Sequence, residues 1–218
     1  MTTNLKVAII GLGNIGKVVA ENLVQGNRSV ILASKKLEDA TALSNKLGNL
    51  AIASEVGEAI KNADIVILSV WFSTIQEILQ KYAVELEGKI IIDPSNPIAP
   101  DENGGFRKII DADQSAGNII AALLPKNAVL VKALGSLGAA SLANAAFQTP
   151  EKAVLFYATD QETVNPSIEQ LIADTGFDAV RIGGIDQSIR MEVFGNLHEF
   201  GALGKTVNIA EAKTKLVN

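Results

Sequence analysis

The stretch "VAIIGLGNIGKVVAENL", residues 7–23, decides the fold. A short apolar run leads directly into Gly11, and Gly11, Gly13 and Gly16 stand in the spacing G-x-G-x-x-G. That string alone is a weak signal. Here it follows a predicted strand and opens an amphipathic helix, which is the context that gives it meaning. The first glycine makes a tight turn, the second lets a pyrophosphate approach the backbone, and the third permits close packing of helix on strand. The pyrophosphate is then expected at the positive end of the helix that begins near Asn14. The alternative is a glycine turn with no ligand.

Outward from this motif, short apolar runs recur at 5–10, 29–33, 64–70, 89–93, 128–134 and 153–159, with a weaker one at 50–53. They are rich in Val and Ile and nearly continuous, as strands buried on both faces are. Amphipathic stretches lie between them at 14–26, 36–47, 55–62, 73–86, 138–147 and 161–174. This alternation predicts an α/β fold: a doubly wound, Rossmann-type, mostly parallel sheet with helices on both faces. "DPSNPIAPDENGG" (93–105) reads as a loop. After "VRIGG" (180–184) the pattern reads as helix alone, with Ile189, Val193, Leu197 and Phe200 on one face. Residues 1–184 are thus expected to form the nucleotide-binding domain. Residues 185–218 are expected to form a helical extension packing on it or on a dimer partner. Gly195, Gly201 and Gly204 on that extension would permit a close helix pair, hence a homodimer.

The second strand ends in "ASKK", residues 33–36. A site for NAD places an Asp or Glu about 20 residues beyond the glycines, to accept from the ribose 2′-hydroxyl. Here Ser34 stands with Lys35 and Lys36. A 2′-phosphate is attracted by two cations and can accept from the serine hydroxyl. The lysines therefore read as a clamp selecting NADP, the expected cofactor. The alternative is a solvated helix start, but cations at a helix N-terminus are unfavourable unless an anion is near.

Composition narrows the classes further. The chain has 218 residues, 48% of them hydrophobic and 20% charged, which is ordinary globular usage. A net charge of -5 argues against a nucleic-acid partner. There is no cysteine and only one histidine, so disulfide, thiolate and His-rich metal sites are not expected. No basic leader precedes a long apolar run, and no apolar stretch is long enough to cross a bilayer. A cytoplasmic protein without membrane contact is expected.

In a doubly wound sheet the ligand lies beyond the C-terminal strand ends. Three further loops should line the pocket: "SVWFST" (69–74), "DPSNPI" (93–98) and "KALGSLGA" (132–139). Trp71 can pack on the nicotinamide side of the cofactor or make a domain or dimer contact. Asn96 and Pro97 offer amide and backbone groups to the nicotinamide ribose, or form a plain proline turn. Gly135 and Gly138, around Ser136, allow a flat ring to approach the backbone.

"GLGNIG", "ASKK", "DPSNPI", "SAGNIIAALLP" and "VKAL", in this order and followed by a short tail, resemble the NADP-dependent oxidoreductases of coenzyme F420, a 5-deazaflavin. The NADPH-binding domain of the six-transmembrane metalloreductases is similar too. The resemblance runs over roughly residues 5–205. It implies that Gly13, Asn14 and Ile15 hold the pyrophosphate and that Ser34 and Lys35 hold the 2′-phosphate. It also implies that Val70 and Trp71 border the nicotinamide and that the 133–138 loop faces the second ring, with Ala133 and Leu134 counted to the cofactor and Gly135, Ser136 and Leu137 to the substrate side. The chain departs from the pattern at Gly135, where relatives often carry Asn or His.

Hydride transfer between NADPH and a flavin-like ring needs two ring faces held in contact, not a side-chain proton relay. The lack of an obvious acid or base suits that reaction, and no catalytic residue is assigned. A ketone or hydroxy-acid dehydrogenase would want a positioned acid. His198 reads as a packing or surface residue in preference to a catalytic one. Lys132 could serve as an acid or simply meet a carboxylate. Two further readings stay open: an NADPH-dependent reductase of a small carbonyl, imine or quinone, and a non-catalytic NADP-binding sensor.

Overall fold

The computed structural model describes residues 5–102 and 104–216. The first half alternates strand and helix: β1 (Val7–Ile10), α1 (Asn14–Gln25), β2 (Val30–Ala33), α2 (Leu37–Leu47), β3 (Ala51–Ala53), α3 (Val56–Asn62), β4 (Ile65–Leu68), α4 (Phe72–Lys81) and β5 (Ile90–Asp93). There follow β6 (Ile98–Pro100), β7 (Phe106–Lys108), α5 (Ala116–Ala121), β8 (Val129–Ala133), α6 (Ala139–Asn144), β9 (Val154–Ala158), α7 (Asn165–Asp174), β10 (Asp178–Arg181) and α8 (Ile209–Leu216).

Eight strands form one sheet in the order β3-β2-β1-β4-β5-β8-β9-β10. From β3 to β8 every neighbour is parallel; β9 then runs antiparallel to β8, and β10 follows β9 in parallel. The strand order reverses between β1 and β4, and that switch point opens a crevice at the C-terminal strand ends. Side chains alternate across the sheet. Ile9, Ile67, Ile92 and Val131 join α1 and α7 on one face, while Ile10, Leu68, Ile91 and Leu130 join α4 and α5 on the other. Each such side chain, fully buried, contributes roughly 1.5–3 kcal/mol. A third cluster sets Val154 and Phe156 of β9 against Met191, Leu197, Leu203 and Val207. Among the described residues no helix is long and apolar enough to cross a membrane.

Three expectations need correction. The predicted loop 93–105 contains most of an antiparallel hairpin, β6 with β7, turned by Gly104 and Gly105 at φ 91° and 78°. The helix predicted over 73–86 stops at Lys81, and the turns beyond it bury Leu86 in the core. The tail is not helix alone. It begins with a short 3-10 helix (Ile185–Arg190), continues as turns to about residue 203 and ends in α8. Gly195 and Gly201 explain the turns. A Cβ on Gly195 would lie 2.4 Å from the Arg190 carbonyl oxygen, and one on Gly201 would lie 1.9 Å from that of Gly195. Phe200, expected on the buried face, is 58% exposed. The glycine-bearing helix pair expected to make a homodimer therefore has no helix at Gly195, Gly201 or Gly204 to form from.

Candidate functional site

The phosphate loop is built by three glycines in three different environments. Gly11 adopts φ +95°, and a Cβ there would meet the Ser69 carbonyl oxygen at 2.3 Å. A Cβ on Gly16 would meet the Gly11 carbonyl oxygen at 2.0 Å. Both are close approaches that only glycine allows. Gly13 is exposed, and a Cβ there would have nothing within 4 Å. The second glycine therefore faces open space at the start of α1, where a pyrophosphate needs access.

No side chain caps α1, whose N-cap is Gly13, and its first turn holds no acidic residue. α2 contrasts with it, carrying Glu38 and Asp39 in its first turn. The amides and positive dipole end of α1 are thus left for an external anion. Exposed Asn14 and half-buried Ile15 begin that helix.

The amide of Gly11 donates to the Ala33 carbonyl at 2.9 Å, which draws the end of β2 against the loop. Ser34, half buried, and exposed Lys35 and Lys36 follow at once. Neither lysine forms an ion pair among the described residues. Lys36 is the N-cap of α2, so Glu38 and Asp39 already complement that helix dipole. On the other side of the loop a Cβ on Gly11 would touch the Val70 side chain at 2.5 Å. Trp71, the N-cap of α4, is 56% exposed. The glycines, the basic strand end and the end of β4 are therefore brought together at the switch point. They form a cradle that fits a dinucleotide carrying a 2′-phosphate.

The third and fourth loops are arranged otherwise. Pro97, Ala133, Leu134, Gly135, Ser136 and Leu137 are all buried. A Cβ on Gly135 would lie 2.2 Å from the Pro94 carbonyl oxygen, so this backbone excludes Asn or His there. The residues expected to face a second ring thus present little side-chain surface. The amide of Asn96 is engaged inside the protein: Nδ2 donates to the Gly135 carbonyl at 3.2 Å and Oδ1 accepts from the Val193 amide at 2.7 Å.

The tail crosses these loops as a strap. Glu192 is buried, and its two carboxylate oxygens accept from the amides of Ala116 and Gly117 at 3.0 Å each. Lys132 is buried too. Its Nζ donates to Asp93 at 2.7 Å and to the Ser95 carbonyl at 2.5 Å, and lies 3.7 Å from Glu192. Burial raises the pKa of Glu192, against the pull of Lys132 and the two amides. Glu199 accepts from the Gly138 amide at 2.7 Å and from the Ser141 hydroxyl at the start of α6. His198 is 1% exposed, and its Nε2 lies 3.0 Å from the Gly135 carbonyl. Its Nδ1 accepts from the Phe200 amide, which leaves the ring proton on Nε2. Burial pushes its pKa down to about 4.

Sequence reasoning missed Glu192 and Glu199 altogether. The openings "SAGN" and "LGAAS", two helix starts without an acid of their own, are the only trace they leave in the sequence.

Residues 6–97 match the family model described as NADP oxidoreductase, coenzyme F420-dependent. A glutamyl-tRNA reductase from Methanococcus maripaludis (strain C7) is 35% identical over 104 residues, which is 46% of this chain and 27% of that protein. The matched segment thus spans about a quarter of the length of that relative. A hypothetical protein, SMa0349, from Sinorhizobium meliloti superposes with a TM-score of 0.80 at 26% identity, covering 94% of this chain and 95% of its own. A candidate F420-dependent NADP-reductase from Arthrobacter sp. FB24 gives 0.72 at 18% identity, covering 84% and 87%, a likeness of fold. Over residues 6–97, where the open phosphate loop and the basic strand end lie, the chain is similar to that family of NADP-linked oxidoreductases.

Proposed function

We propose that this protein transfers a hydride between NADPH and a flavin-like ring, with a deazaflavin of the coenzyme F420 type as the acceptor class. One observation carries the reading. Lys132 and His198, the candidate acids that the sequence offers, are both internal and engaged, Lys132 with Asp93 and Ser95, and His198 with Gly135 and Phe200. Reduction of a carbonyl leaves an alkoxide that wants a positioned acid. Transfer to a ring carbon needs only alignment and contact.

When bound, NADPH supplies the hydride. The protein's part is placement. Gly13 and the uncapped start of α1 receive the pyrophosphate, while Ser34, Lys35 and Lys36 receive the 2′-phosphate. Val70 and Trp71 border the crevice beside the phosphate loop, where an exposed indole gives a flat ring a face to pack on. The buried 133–137 loop forms the far wall as backbone, which suits an extended planar partner better than a small polar one.

NADPH oxidation followed in parallel with coenzyme F420, FMN, FAD, a quinone and a cyclic imine tests the proposal. Fast turnover with the deazaflavin, and turnover at least about tenfold slower with the rest, is expected. Turnover with the imine or quinone alone would replace it by a small-molecule reductase. NADPH binding without turnover on any acceptor would replace it by a sensor.

A further inference from the structure

We infer that Asn96 and His198 are positioning residues that hold the backbone wall of the nicotinamide site in shape from behind. The inference rests on the cofactor reading above. Leu134 leaves β8 at φ +66°, a conformation that L-residues with side chains seldom adopt, and its side chain is fully buried. Such a residue persists only where its surroundings over-determine it. Here they do. The carbonyl of the next residue, Gly135, accepts from Asn96 Nδ2 at 3.2 Å and from His198 Nε2 at 3.0 Å. A Cβ on Gly135 would lie 2.2 Å from the Pro94 carbonyl oxygen, so the loop has little room to retreat that way.

Asn96 also accepts from the Val193 amide, and Glu199 donates its own amide to the Ser136 carbonyl at 2.9 Å. The strap, the β5 loop and the β8 loop are thereby tied at one carbonyl. His198 is buried and the Asn96 amide is occupied by protein groups, so both act on the cofactor through the loop they hold. The residues proposed to hold the 2′-phosphate and pyrophosphate lie across the switch point, at the ends of β1 and β2 and the start of α1, and share none of these bonds. The effect should therefore be confined to the nicotinamide half.

The test compares the Kd of NADPH with that of 2′,5′-ADP, which lacks the nicotinamide half, by titration calorimetry on the full chain. His198→Leu removes one donor. Asn96→Asp removes the other while keeping an acceptor for Val193. His198→Gln places an amide nitrogen where the imidazole Nε2 stands. NADPH should weaken by about tenfold in His198→Leu and in Asn96→Asp, the value of one hydrogen bond. It should return to within about threefold of the parent in His198→Gln, with 2′,5′-ADP unchanged within about twofold throughout. Equal weakening of both ligands, or NADPH affinity unchanged in Asn96→Asp, would overturn the inference. If His198→Leu does not fold, Asn96→Asp and His198→Gln still decide it. No acceptor is needed, so a failure of the hydride-transfer proposal is read separately.

Discussion

Gly13 and Gly16 lie on the same turn and carry opposite obligations. Gly13 has ordinary φ and ψ of −74° and −162°, with open space where a Cβ would go. Gly13→Ala should therefore fold with a melting temperature close to that of the parent, yet bind NADPH at least about tenfold more weakly, because the methyl group stands in the pyrophosphate position. Gly16→Ala should instead destabilise by about 2–4 kcal/mol, as it drives a methyl into the Gly11 carbonyl. Denaturation with ligand titration separates the two. Across the loop, Lys35→Glu with Lys36→Glu should raise KM for NADPH by at least about tenfold and that for NADH far less. Equal changes for both cofactors would refute the 2′-phosphate clamp. His198 makes a pH prediction. Its folded pKa of about 4 lies below the usual 6.5, so the unfolded chain binds the extra proton between those values. Its contribution is complete above about pH 6.5 and is lost as pH falls toward 4, on the order of 3 kcal/mol in all. In denaturant unfolding, the stability that the parent loses across that window should exceed the loss in His198→Gln by this amount. The glycine turn was legible because one short stretch holds the motif. The role of His198 was not, because its partner Gly135 lies 63 residues away.

Among the elements, the strands were the most legible and the tail the least. β1, β2, β4 and β9 are continuous apolar runs, and β5 and β8 are broken only by Asp93 and Lys132; burial on both faces demands little else of a sequence. The antiparallel turn of β9 against β8 leaves no such mark, because a strand buried on both faces reads alike in either direction. In the tail the apolar spacing imitates a helix. Met191 and Leu197 are buried under β9, but the glycines between and beyond them fold the backbone onto its own carbonyls. The tail's role is electrical as well as apolar: Glu192 caps the start of α5, and with Asp93 it flanks Lys132. Lys132→Met should therefore cost about 3–5 kcal/mol in denaturant unfolding, since it leaves two buried carboxylates without their cation. A loss under about 1 kcal/mol would mean that the cluster is more hydrated than the structure describes.

For the molecule as a whole, the proposed function sets the two halves of the cofactor on opposite sides of one crevice. Its adenine side would rest on β1, β2 and α1, elements that the sequence pattern marks. Its nicotinamide side would rest on β5 and β8, which are held by a strap that the pattern of residues does not announce. Hydride transfer to a deazaflavin carbon leaves a label that does not exchange with water, whereas transfer to a flavin nitrogen does not. The most direct measurement is therefore turnover of stereospecifically C4-deuterated NADPH, each face in turn, with coenzyme F420, followed by mass analysis of the reduced deazaflavin. Direct transfer at this site places one deuterium on the product ring for one of the two labelled faces and none for the other. Reduced deazaflavin free of deuterium with both, or no reduction at all, would contradict it.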